Sequence, residues 1–153
     1  MKGTLRLDIQ GLRAIAVLSV VIFHIQPNAL PGGYLGVDVF FVISGYLIIG
    51  QLWRALCNNS LSLTSFYSSR FKRLLPAYIV VAAATTIFAY FYLLPGEYAN
   101  YSYSLIASLL YASNFWFYTQ SGYFSAALEF APLLHTWSLS VEEQFYFIFP
   151  VLL

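Results

Sequence analysis

Long apolar runs separated by short polar stretches dominate this chain. Residues 12–30 and 35–53 are each just long enough to cross a bilayer, for which about 20 apolar residues suffice. Residues 74–94, LLPAYIVVAAATTIFAYFYLL, hold no charge and form the clearest span. A fourth run, 138–153, closes the sequence inside FYFIFPVLL with no basic flank and no helix cap. The chain therefore reads as a fragment, cut after the start of its fourth or fifth membrane segment. Between the third and fourth runs, YSYSLIASLLYASNFWFY (101–118) is short, Ser-rich and aromatic, and spanning, re-entrant and interfacial placements are all open. The predicted fold is all-α, a polytopic transmembrane helix bundle.

Composition strengthens this picture. With 60% hydrophobic and 8% charged residues, there are too few charges to cover a water-soluble surface. A formal net charge of +1 without a basic stripe argues against nucleic acid as a partner. The single cysteine, Cys57, excludes an internal disulfide and lacks the companions of a metal cluster, so neither metal nor bound cofactor is expected.

Charge placement gives an orientation. The seven Lys and Arg are Lys2, Arg6 and Arg13 at the first span, and Arg54, Arg70, Lys72 and Arg73 between the second and third. The positive-inside rule places both groups, and the N-terminus, in the cytoplasm, which makes QPNALPGGY external. The third span then exits near Pro95. Because residues 95–137 carry no Lys or Arg, that stretch is expected to stay outside, with 101–118 not fully crossing. A cleaved signal peptide is disfavoured, since no small-x-small site follows AIAVLSVVIF and the next span begins within a few residues.

Chemistry enters through the few ionisable groups in the apolar runs. Arg13 and His24 are eleven residues apart, which returns them to nearly one helix face, roughly 16 Å apart along the axis. Arg13 taken alone could snorkel to headgroups. His24 lies within the apolar run just before Pro27, where an ionisable group is a functional candidate; the bland alternative is a core histidine satisfied by a serine or a carbonyl. Asp38 starts the next span at the same depth, so a carboxylate and an imidazole can meet. Such a carboxylate would fix the ring tautomer and raise its basicity, as a general base or an acyl-accepting nucleophile requires. Asp38 also suits the helix dipole as a first-turn residue. Gly32, Gly33 and Gly36 between them serve either a tight turn or a close backbone approach.

Arg70 and Arg73, spaced i, i+3, share a helix face and could be merely topogenic, or could present paired forks to phosphate. In HTWSLSVEEQFYFIFP, Ser140 and Glu143 have the form of a capping box. Glu142 falls outside that box, seven residues after His135, and at least one of the two carboxylates enters an apolar run and needs a polar partner. His135, Trp137 and Ser138 could instead form an interfacial belt.

The order of four segments, LDIQGLRAIAVLSVVIFHI, GGYLGVDVFFVISGYLI, RFKRLLPAY and HTWSLSVEEQFYFIFP, resembles the N-terminal part of the membrane acyltransferase family 3, which includes O-antigen and other polysaccharide O-acetylases. These segments cover about half of the chain, without departure at the motif positions; only the length falls short of the family's usual number of spans. The resemblance implies a multi-pass enzyme of the bacterial inner membrane that takes an acyl group, usually from acetyl-CoA inside, to a glycan hydroxyl outside. It also implies that Arg13, His24, Arg70 and Arg73 are functional, with Glu142 and Glu143 as weaker candidates. In this reading Arg70 and Arg73 bind donor phosphates and Arg13 helps hold the donor. His24 is the base or acyl acceptor, Asp38 its orienter, and Glu142 a further catalytic candidate with Glu143 and His135 behind it. The rival reading is a transporter in which His24, Asp38 and Arg13 relay protons or ions; a third is that so few spans form no complete pocket.

Overall fold

The computed structural model describes residues 6–120 and 131–153; Lys2 and the 121–130 part of the 95–137 stretch lie outside the described residues. All regular structure among the described residues is helical. They divide into two compact units, one ending at Leu61 and the other beginning at Ser62. Three helices are long and apolar enough to cross a membrane, and they fall on the first three predicted spans.

The first unit is a helical hairpin. Helix α1 (Leu7–Ile25) begins five residues before the expected apolar boundary and stops five before its end. The Gln26 N–H still reaches Ile22 O, but Pro27 has no N–H to continue the ladder. A short 3-10 turn, Gly33–Leu35, leads straight into α2 (Gly36–Cys57), which runs past the expected Trp53 to the polar Asn58. The turn glycines explain the closeness of the hairpin. A Cβ on Gly36 would overlap Ala16 O and Ser19 Oγ and sit 2.8 Å from Val20 Cγ2, and one on Gly33 would overlap Ser19 O and lie 2.8 Å from Phe23 Cβ. Helix–helix association in lipid relies on packing, so small residues at such crossings let backbones touch.

In the second unit, α3 (Leu63–Tyr92) begins eleven residues before the predicted span, so the basic segment SSRFKR is helical too. Ser62 caps it by accepting from the Ser65 N–H at 3.4 Å. The stretch 101–118 is neither a single span nor a single interfacial helix. It is split between α4 (Pro95–Leu109) and α5 (Ser113–Gln120), with Tyr111 at a φ of 52° in the break. Helix α6 (Thr136–Leu152) covers the fourth run.

Small polar residues join these helices. Tyr78 of α3 donates to Ser108 Oγ at 2.8 Å, and Thr86 Oγ1 lies 2.8 Å from the Tyr101 hydroxyl. Ser113 and Ser140, almost wholly buried, hold their hydroxyls 2.7 Å apart where α5 meets α6. The apolar part of the unit centres on Ala89, Tyr101 and Leu133. In a chain with this little charge, such paired hydroxyls give helix contacts their register, since apolar surface alone packs equally well against lipid.

Candidate functional site

Each unit carries part of the predicted chemistry and is described by itself. In the first, Arg13 is half-buried and its guanidinium Cζ stands 4.9 Å from the centroid of the Phe40 ring on α2. Arg13 thus faces the neighbouring helix in a cation–π contact. His24 is exposed near the end of α1 and its Nδ1 lies 2.8 Å from Val20 O. A carbonyl oxygen can only accept, so Nδ1 carries a hydrogen in this contact, which matches the neutral tautomer whose lone pair is on Nε2. The helix backbone therefore sets the tautomer, a task the sequence reading gives to Asp38. Asp38 itself is exposed in the first turn of α2, and no ion pair links it to His24 among the described residues.

The second unit brings together more than the motifs suggest. Arg70 on α3 is half-buried, its Cζ 4.3 Å from the Tyr146 centroid and 5.2 Å from that of Phe66. The guanidinium thus lies over two aromatic rings, while its N–H groups are donors suited to an anion. Arg73, one turn on, is exposed, so the two arginines share a helix side but not an environment. A pocket between α3 and α6 is lined by Tyr67, Arg70, Phe71, Glu143, Tyr146 and Phe147. Tyr67 ties its rim together, donating to Phe147 O at 3.0 Å while its ring stacks on Phe147.

The two glutamates have different surroundings from those the sequence suggests. Because α6 begins at Thr136, Ser140 lies inside the helix and binds Ser113, so the capping box with Glu143 does not form. Glu143 is instead only 4% exposed and borders the Arg70 pocket. Glu142 has the polar partner its position demands, accepting a hydrogen bond from the Tyr146 hydroxyl one turn along. His135 is the exposed N-cap residue of α6, seven positions before Glu142. Sequence reasoning missed Tyr146, Tyr67 and Phe66 as the surroundings of Arg70. The i, i+3 and i, i+4 offsets of Tyr146 from Glu143 and Glu142 are the signal that could have found the first of them.

Comparison with known proteins agrees with the motif order. The profile of an acyltransferase domain family matches residues 6–153. A Staphylococcus aureus (strain COL) protein whose name proposes an O-acetyltransferase is 43% identical over 150 residues, covering 95% of this chain and 24% of its own length. The peptidoglycan O-acetyltransferase OatA of Listeria monocytogenes is 42% identical over the same extent, and the O-acetyltransferase OatA of Staphylococcus aureus (strain NCTC 8325) 38% identical over 149 residues. The chain thus spans about a quarter of the length of these relatives. No solved structure matches it.

Proposed function

The chain belongs to the membrane acyltransferase family 3, and from that premise we propose that it is part of an enzyme carrying an acetyl group from cytoplasmic acetyl-CoA to a hydroxyl of a glycan outside the bacterial inner membrane. The name of the Listeria relative suggests a cell-wall glycan as acceptor. The N-terminus lies in the cytoplasm, as the two clusters of basic residues favour. The relatives' names all speak of acyl transfer, and nothing among them favours a transporter.

The observation that carries this reading is the guanidinium of Arg70, held over the Phe66 and Tyr146 rings and lining the α3–α6 pocket. A guanidinium held by two rings has fewer orientations to lose when it binds phosphate, so more of the interaction appears as affinity. Arg70 therefore holds donor phosphate, with Arg73 as an outer, solvated contact. In the first unit, Nε2 of His24 takes the proton of the acceptor hydroxyl, or the acyl group itself, while Nδ1–H stays on Val20 O. Arg13 gives positive charge on the same helix, and Asp38 offsets the imidazolium that forms. Glu142 acts through Tyr146, whose ring it anchors beneath Arg70.

Membranes containing the full-length protein, incubated with radiolabelled acetyl-CoA and a cell-wall glycan fraction, test the reading. Label should enter the glycan, and His24→Ala should reduce the rate by about a hundredfold or more, the usual share of a general base. Unlabelled glycan with wild-type protein would refute acyl transfer, and normal transfer by His24→Ala would remove His24 from the mechanism.

A further inference from the structure

Tyr34 stands in the short turn between α1 and α2 with 54% of its surface exposed. Its ring meets Phe23 of α1 edge to face, centroids 5.6 Å apart, and Phe23 meets the imidazole of His24 in the same manner at 5.5 Å. The three rings form a row that ends on the proposed base. The turn is firmly seated, because Gly33 is buried so close to α1 that a Cβ there would overlap Ser19 O. Backbone packing at Gly33 and the contact with Phe23 fix where Tyr34 stands, so little order remains to be lost when a ligand binds.

An exposed tyrosine at the mouth of a membrane hairpin has an ordinary use, which is to anchor the helices among lipid headgroups. Anchoring needs no particular neighbour, whereas Tyr34 is separated from His24 by a single ring. A sugar has the complementary shape. The C–H groups of a pyranose make an apolar face that lies flat on an aromatic ring, while its hydroxyls point outward around the rim. Tyrosine matches both parts, with an apolar face and a hydroxyl at its edge. A sugar resting on Tyr34 turns its rim hydroxyls toward neighbouring groups, and the polar group beyond Phe23 is the imidazole.

We propose that Tyr34 is a binding residue for the acceptor: a pyranose face of the glycan stacks on its ring, and a rim hydroxyl of that sugar, or of the next one along the chain, reaches His24 Nε2. The inference rests on the acyl-transfer reading above and adds to it the side chain that recognises the sugar.

Steady-state transfer by the full-length protein in membranes, with a soluble cell-wall glycan fraction and acetyl-CoA varied in turn, tests it. Tyr34→Ala should raise KM for the glycan by about fivefold or more, the scale of one stacked ring. KM for acetyl-CoA and kcat should change by less than about twofold. Tyr34→Phe and Tyr34→Trp, which keep a ring, should hold the glycan KM within about twofold of wild type. A lipid-anchoring or purely structural tyrosine gives another pattern, with less protein in the membrane or a lower kcat and the glycan KM unmoved. An unchanged glycan KM in a Tyr34→Ala protein that melts like wild type overturns the proposal, as does an equal rise in both KM values. If the Ala variant does not fold, Tyr34→Leu, apolar but without a ring, decides by the same ratio. Wild-type protein that labels the glycan while this ratio stays flat defeats the inference alone; wild-type protein that labels none defeats the acyl-transfer reading beneath it.

Discussion

At the residue scale, the contact between α1 and α2 depends on two missing methyl groups. Gly36→Ala should lower the stability of the detergent-solubilised protein by about 1–3 kcal/mol, the usual penalty of overpacking, because the atoms a Cβ meets include the fixed carbonyl of Ala16. Gly45, inside α2 with nothing within 4 Å of its Cβ position, is the control; Gly45→Ala should be neutral or stabilising by about 0.5–1 kcal/mol. Thermal unfolding of the two variants side by side checks both. The sequence showed a glycine-rich loop but left its purpose open, since a glycine's need for space comes from residues about twenty positions away. The same holds for His24. Its place in an apolar run marked it, while the carbonyl that fixes its tautomer is visible only once the helix is built.

At the element scale, three of the apolar runs coincide with membrane-length helices, and those helices begin and end at other residues than the runs. Hydropathy sees the lipid boundary, whereas a helix starts where backbone donors find a cap. Ser62 provides one for α3 well before the first uncharged turn. That extension places Arg70 on a rigid helix instead of a loop, beside Phe66 and facing α6. The R-x-x-R spacing puts the two arginines on one helix face, and the structure gives them different surroundings. Arg70→Lys should therefore raise KM for acetyl-CoA by about tenfold with a smaller change in kcat, since lysine offers neither the planar stack nor the fork. Arg73→Lys, which keeps a solvated charge, should change KM by less than about threefold. Steady-state transfer assays on membranes, with acetyl-CoA varied, distinguish the two. The buried glutamate of this site was legible only as a carboxylate in an apolar setting; its pairing with Arg70 across one pocket required knowing where α6 begins.

For the whole molecule, the all-α fold and the three membrane-length helices among the described residues were readable from composition and run length, because lipid forces every backbone polar group into internal hydrogen bonds. The orientation offers a direct check. Cys57 is exposed at the end of α2, beside the cytoplasmic cluster in the proposed topology. A membrane-impermeant maleimide should modify the Cys57 peptide in inverted vesicles and leave it untouched in intact cells, as read by mass spectrometry; the reverse pattern would invert the topology. Less legible was the break between α4 and α5. Nothing in LYAS resembles a proline or glycine stop, and the interruption is held from elsewhere. Gln144 of α6 donates its Nε2–H to Tyr111 O at 2.7 Å and pairs with Asn114. Leu110 and Ala112 precede Gln144 by more than thirty residues in the chain. The carboxamide that braces this bend therefore lies a whole helix further along the chain than the residues it holds.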